Sequence, residues 1–276
     1  MKKIFHIFIL ISVLGLISAC TKTDKKQNVQ NTEKEIHIYF TRHGKTMLNT
    51  TDRVQGWCDS PLTDSGIEIA ENTGKGLKEK ISFDNVYSSD SGRAIETAKI
   101  IIKNMNQNLI VNQDKRLREF NYGSFEGAKN SEMFTAVAKE NGKTINEYQS
   151  DIQKNGFATE IVNFSNTLAT IDNKNTEKEK TYSAENYNQV VDRMKNALND
   201  IVKNAQKNEE HNILVISHGM SISALLSSLD PESAKKIPAN GLANASISKI
   251  SYKNGKYTVE TVNDVSFIEN RKEKQI

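Results

Sequence analysis

Two apolar runs in this chain end in the same way. Residues 36–41 alternate and are rich in β-branched and aromatic side chains, and they stop at Arg42-His43-Gly44; residues 211–217 stop at His218-Gly219. Each run reads as a buried β-strand. A helical pattern, Met220 to Leu229, follows the second. In an open parallel α/β sheet, ligands bind beyond the carboxyl ends of the strands, where the departing loops leave a crevice. Two strands that each end in His-Gly can aim two imidazoles into one such crevice. Taken alone, an Arg-His-Gly triplet is more often a strand end with a solvated arginine. The repetition gives it weight.

The chain between the two runs alternates strand and helix. Thr63 reads as the N-cap of a helix running to about Lys80, with Ile67, Ala70, Thr73 and Leu77 on one face. Phe83 to Ser88 and Leu109 to Val111 read as strands. Between them, Ser91-Gly92-Arg93 opens a helix and places Arg93 in its first turn. A helix start already carries partial positive charge, so an arginine there makes sense if an anion shares the site. From about residue 128 to 183 clear strands disappear, leaving short, polar, helix-compatible pieces, which we expect to form an insertion over the crevice. A long helix is expected from Ala184 to about Lys207, with Tyr187, Val190, Val191, Met194, Leu198, Ile201 and Val202 as its core face. Asn254-Gly255 between alternating runs signals a terminal hairpin. The expected fold is therefore a three-layer α/β/α sandwich with a mostly parallel sheet, an antiparallel edge hairpin and a helical cap insertion.

The N-terminus reads differently. Met-Lys-Lys is followed by an apolar run to Leu16 and the small residues before Cys20, too short to favour a membrane span and matching an export signal. Leu16 to Cys20 resembles the bacterial lipobox, in which the cysteine is acylated and becomes the new N-terminus. The expected organisation is a leader over residues 1–19, lipidation at Cys20, a Lys/Asn/Gln/Thr-rich tether over 20–35 and one domain over 36–268. The mature protein is then expected to be lipid-anchored at the cell membrane, on its extracytoplasmic side. With Cys20 lipidated, Cys58 has no partner and no disulfide framework is available. We read Cys58 as a loop residue. A net charge of +3, scattered among acidic residues, argues against a nucleic-acid partner.

Arg42, His43, Arg93, Glu119 and His218 all fall where strands end or helices begin, with no Asp/Glu/His group at metal-ligand spacing beside them. A neutral histidine can attack phosphorus and hold the phosphoryl group covalently. Arginines and a second histidine can balance the charge on its oxygens, a task metal ions perform elsewhere. A carboxyl group beside a dianionic phosphate holds its proton more tightly, which suits Glu119 to protonate the leaving alkoxide. No cofactor is expected.

By these residues the chain resembles the histidine phosphatase superfamily, in the branch with phosphoglycerate mutases and broad phosphatases. The matching blocks are Thr41 to Asn49, Gln55 to Thr63, Ser88 to Ala94, Leu117 to Gly127 and Ser217 to Gly219, in family order. The resemblance implies that His43 is the phosphorylated nucleophile and that Arg42, Arg93 and His218 form the phosphate pocket. It implies Glu119 as proton donor, and Asn49, Gln55 and Gly56 as further substrate-binding residues. Lys45 departs from the glutamate often found there, away from the catalytic set. The leading expectation is a phosphomonoesterase acting on a phosphorylated small molecule or phosphopeptide. A phosphoglycerate mutase is the first alternative, weakened because residues 119–192 hold no arginine for a second anion site. A non-catalytic lipoprotein that binds a phosphorylated ligand is the second, weakened because a pure binder gains nothing from Glu119. Arg116 and Arg118 are expected as surface charges, Glu126 as a residue that orders its loop, and His37 and His211 as structural.

Overall fold

A computed structural model describes residues 34–175 and 182–269. The expected leader, Cys20 and nearly all of the tether lie outside the described residues, as does part of the polar stretch before the long helix.

The described strands are β1 (Ile36–Arg42), β2 (Asn85–Ser88), β3 (Val111–Gln113), β4 (Asn212–Ser217), β5 (Ile247–Lys253) and β6 (Lys256–Asp264). They form one sheet in the order β3-β2-β4-β1-β5-β6. β1, β2, β3 and β4 run parallel, while β5 pairs antiparallel with both β1 and β6. This is the expected mostly parallel sheet with a hairpin at one edge. The hairpin turns at Asn254 and Gly255, both at positive φ, as an Asn-Gly turn of this kind requires.

The described helices are α1 (Met47–Thr50), α2 (Asp64–Leu77), α3 (Gly92–Asn104), α4 (Asn130–Glu140), α5 (Ile145–Asn155), α6 (Phe157–Lys174), α7 (Tyr187–Asn208), α8 (Gly219–Leu229), α9 (Pro231–Ala234) and α10 (Ser266–Glu269). The strand period of two sorts side chains into two cores. Ile36, Ile38, Phe40, Ile213 and Val215 join α7 and α8 on one face. Tyr39, Leu214, Ile216 and Val86 join α2 and α3 on the other. Helices therefore cover both faces, the three-layer arrangement that near-continuous apolar strands require.

Local chemistry sets the helix ends. Thr63 caps α2 by accepting from the Gly66 amide at 3.1 Å. Asn186 and Gln189 form a capping box at the start of α7, so that helix begins at Tyr187, three residues later than the expected Ala184. The strand expected over Leu109 to Val111 lies later, at Val111–Gln113. Gln107 brackets Phe83 by accepting from its amide at 3.3 Å and donating to its carbonyl at 2.9 Å. Pairing with β2 then begins only at Val111, and Ile110 is left 85% exposed.

The interval between β3 and α7 holds α4, α5 and α6. Its helices are longer than the short pieces expected, and α6 spans 18 residues. Its interior residues Ile161, Phe164 and Leu168 recur at helical spacing and pack against Met133 and Val137 of α4 in the α7 core. Asp172 ties this region down: its Oδ1 accepts from the Ser124 amide at 2.9 Å and hydroxyl at 2.8 Å, and its Oδ2 from the Ala184 amide at 2.8 Å. Gly123, at φ +57°, lies so close that a Cβ there would fall 2.4 Å from the Asp172 carboxyl carbon.

Candidate active site

The parallel register of β1 and β4 places Arg42 opposite Ser217. The next residue of each strand is a histidine, so both imidazoles leave the sheet at one level, and the His43 amide donates to the Ser217 carbonyl at 3.1 Å. The two rings lie 5.2 Å apart between centroids. Both are buried, His43 at 3% exposure and His218 completely.

Hydrogen bonds fix the tautomer of each ring. His43 Nδ1 lies 2.7 Å from the Gly44 carbonyl, which can only accept, so Nδ1 carries the proton and Nε2 has its lone pair free. His218 Nδ1 lies 3.0 Å from an Arg93 nitrogen, which can only donate, so Nδ1 accepts and a neutral His218 carries its proton on Nε2. Burial lowers the His43 pKa well below the usual imidazole value, and the nearby charges of Arg93 and Arg42 lower it further. Burial does the same to His218, again helped by Arg93. Both rings are therefore neutral at pH 7.

Arg93 is 1% exposed and enters from the first turn of α3. It donates to the carbonyls of Cys58 and Gly56 at 3.0 and 2.8 Å and pairs with Asp59 at 2.8 Å. Asp59 also accepts from the Gly92 amide at 2.6 Å, so part of the anion expected at this helix start is a protein carboxylate. Glu126 holds the loop that offers these carbonyls, accepting from the amides of Gly56, Trp57, Cys58 and Tyr122. That is the loop-ordering part expected of it. A Cβ at Gly56 would fall 2.2 Å from the Phe120 carbonyl, so only glycine fits there.

Arg42 leaves β1 and donates to the Leu242 carbonyl. The segment carrying Leu242 also sends the Asn244 side-chain amide to the His43 carbonyl at 2.9 Å and the Ala245 amide to the Arg42 carbonyl at 2.9 Å. After these bonds, three buried nitrogens around the histidines have no partner among the described residues: Arg42 Nε, Arg93 Nε and His218 Nε2. Buried donors are nearly always satisfied, and leaving several unmet in one place costs stability. An oxyanion among them would satisfy the set.

Glu119, 6% exposed, lies at the amino end of α8. Its Oε1 accepts from the Phe120 and Ser221 amides at 3.0 and 2.8 Å and the Ser221 hydroxyl at 2.9 Å, while among the described residues Oε2 accepts only from the Met220 amide at 3.0 Å. Oε2 therefore keeps capacity for another partner. From α7, Arg193 donates to the carbonyls of Arg116, Arg118 and Glu119 at 2.8, 2.6 and 2.8 Å and forms a two-pronged pair with Glu185. Sequence reading passes over this clamp because Arg193 falls within a helix read for its apolar face.

A cavity of about 180 Å³ opens at this point, lined by Arg42, His43, Asn49, Gln55 and Glu119 among others. Arg93 and His218 stand buried behind it. The Asn49 Oδ1 accepts from the Thr46 amide at 3.2 Å in a capping box, so Asn49 both forms a turn and lines the cavity. The Gln55 amide is engaged by Thr46 at 2.6 Å and Ser60 at 3.0 Å. Gly56, expected to touch substrate, does not line the cavity; its carbonyl and amide serve Arg93 and Glu126 instead. Arg53, Asn130, Asn240 and Met220 also line it and are not anticipated by the sequence reading. The run Pro238-Ala-Asn-Gly is a visible turn signal before Leu242, but it carries no periodicity.

The remaining residues with sequence-based expectations fall outside the cavity. Arg118 pairs with Asp90 at 2.6 Å and lies over the Trp57 ring, and Arg116 pairs with Asp114 and Asp200 at 2.7 Å, so both are partnered cations near the surface. Burial, reinforced by Glu126, pushes the Cys58 thiol up to about 12, which keeps it protonated and a poor nucleophile. His37 and His211 stand at the amino ends of β1 and β4, away from the crevice. Glu35, His37 and Glu260 form a grouping with metal-ligand spacing at that far end, where Lys249 pairs with Glu260 at 2.7 Å.

A family model described as the histidine phosphatase superfamily (branch 1) matches residues 38–163 and 151–265. Among solved structures, a phosphoglycerate mutase from Bacillus anthracis str. Sterne is 41% identical, with a TM-score of 0.76 over 86% of this chain and 96% of that one. Bacillus stearothermophilus YhfR is 28% identical, with a TM-score of 0.58 over 85% of this chain and all of that one. Among curated proteins, the probable phosphoglycerate mutase GpmB of Erwinia tasmaniensis is 27% identical over 244 residues, covering 85% of this chain and 95% of that protein.

Proposed function

This chain belongs to the histidine phosphatase superfamily, and from that premise we propose that it is a phosphomonoesterase that works through a phosphohistidine on His43. The observation that carries the reading is the group of buried, partnerless donors, Arg42 Nε, Arg93 Nε and His218 Nε2, gathered around a neutral His43. Three donors fit the three non-bridging oxygens of a phosphoryl group. His43 Nε2 attacks phosphorus as the bond to the alcohol oxygen breaks, and Glu119 Oε2 gives its proton to the departing alkoxide. Water then attacks the phosphohistidine, with Glu119 taking a proton from it, and phosphate leaves.

A mutase is the second reading, favoured by the name of the 41% identical structure. It needs a further anion site, and Arg53 at the cavity supplies one cation outside the arginine-free interval 119–192. A screen of phosphorylated metabolites and phosphopeptides separates the two readings. The account predicts net phosphate release that survives EDTA and is blocked by vanadate. Interconversion of phosphoglycerates without phosphate release would assign the mutase. EDTA-sensitive release restored by a divalent ion would make a metal, and not the arginines with His218, the charge-balancing device.

The export reading rests on the sequence alone. The domain acts from a lipid anchor at Cys20, outside the cytoplasmic membrane, on phosphorylated compounds met there. Metabolic labelling with a fatty acid should mark the wild type and not Cys20→Ser; equal label in both would remove the anchor from the account.

A further inference from the structure

A second cavity, of about 190 Å³, lies between α4, α5 and α6. Tyr122, Asn130, Met133 and Met220 line both this space and the one holding His43, so the two adjoin. Met220 is the residue whose amide donates to Glu119 Oε2. A phosphoester seated on the histidines, with its leaving oxygen at Glu119, would thus extend its alcohol portion towards Tyr122, Met133 and Met220.

The walls define what that portion is. Met133, Phe134, Ile152, Ile161 and Phe164 supply apolar surface, and among the described residues no arginine, lysine or histidine lines the cavity. Glu160, its one charged lining residue, accepts from Asn155 at 2.8 Å and would repel a carboxylate. Tyr148 also lines it, completely buried, and its hydroxyl has no hydrogen-bond partner among the described residues. A buried hydroxyl without a partner is a cost that a ligand carrying an acceptor would relieve. Apolar walls with one convergent polar group are the usual makeup of a small-molecule subsite.

We propose that this cavity is the leaving-group subsite, and that the substrate is a phosphate monoester of an uncharged, largely apolar alcohol rather than of a hydroxy acid. The inference rests on the phosphomonoesterase reading and adds the substrate class to it. An apolar pocket discriminates by roughly tenfold or more per methylene, so chain length is a sensitive probe.

Hexyl phosphate, methyl phosphate and 3-phosphoglycerate should be compared on the full-length protein, together with inhibition by hexylphosphonate and methylphosphonate. The alkyl esters have similar leaving groups, so their ratio reports binding beyond the phosphate. We expect kcat/KM for hexyl phosphate to exceed that for methyl phosphate and for 3-phosphoglycerate by at least about tenfold. Hexylphosphonate should inhibit at a correspondingly lower concentration than methylphosphonate. Ile152→Trp, which fills the cavity, should bring both ratios towards one. Hexyl and methyl esters turned over within twofold of each other, or 3-phosphoglycerate preferred, would overturn the subsite while leaving the phosphatase reading intact. Should no ester be hydrolysed, that reading fails and the phosphonate pair still decides the subsite: a tenfold difference supports it, and equal inhibition overturns it.

Discussion

A histidine that is to attack phosphorus must be neutral and must have the correct nitrogen bare. His43 meets both conditions through its neighbours: the Gly44 carbonyl accepts a hydrogen bond from Nδ1–H and so keeps the proton there, and burial beside Arg93 and Arg42 disfavours a second one. The same pressures leave a trace in stability. His43 and His218 both have folded-state pKa values well below those of an unfolded chain. Above about pH 6.5 neither state protonates them and they add no pH dependence. As the pH falls below that, the unfolded chain takes up two protons that the folded one refuses, so stability is lost, by up to roughly 2.7 kcal/mol per pH unit. The urea midpoint should be flat from pH 8 to 7 and fall steadily from 6.5 to 5. A midpoint unchanged down to pH 5 would mean that both rings accept a proton in the folded state.

At the scale of elements, the site depends on a helix that contributes nothing to the phosphate pocket itself. α7 packs its apolar face into the core and presents Arg193 to three carbonyls leading to Glu119, with Glu185 holding the far side of the guanidinium. Arg193 is a positioning residue. Arg193→Ala should free the Glu119 segment and slow alkyl phosphates by about 10- to 100-fold, the scale expected of a small misplacement. Aryl phosphates, whose leaving groups need little protonation, should slow less. Arg193→Lys should recover little, because an ammonium cannot reproduce the planar fork. An equal loss on both ester types, at unchanged thermal stability, would detach Arg193 from the proton donor. The clamp is not legible in the sequence, since an arginine on a polar helix face looks like a solvated charge until its carbonyl partners are known.

Across the whole molecule, the legible features are those with a period or a strict local chemistry. Alternation in residues 36–41 and the apolar run 212–217 place two strands, and their shared His-Gly endings locate the crevice. Thr63 marks a helix start because its hydroxyl accepts from a first-turn amide, and Asn254-Gly255 marks a turn because both residues sit at positive φ, which few others adopt. What stays hidden is assembled from distant pieces. The cavity beside the site draws two or three residues each from α4, α5 and α6, whose apolar positions are diluted by Asn, Thr and Glu. The segment 240–245 holds Arg42 and His43 largely through backbone carbonyls and amides that no side-chain pattern announces. Asp59 likewise looks like part of a loop, and only the fold sets it against Arg93 and the start of α3.

Rapid-quench measurement of acid-labile protein phosphate reads out both a phosphoryl group carried on His43 and a leaving group protonated by Glu119. The comparison takes the wild type, His43→Ala and Glu119→Gln with an alkyl and an aryl phosphate. The account predicts no phosphoenzyme with His43→Ala on either ester. It predicts that Glu119→Gln still forms phosphoenzyme, slowed by about 10² to 10⁴ on the alkyl ester and much less on the aryl one. Acid-labile phosphate on His43→Ala, or an equal loss on both esters with Glu119→Gln, would contradict it.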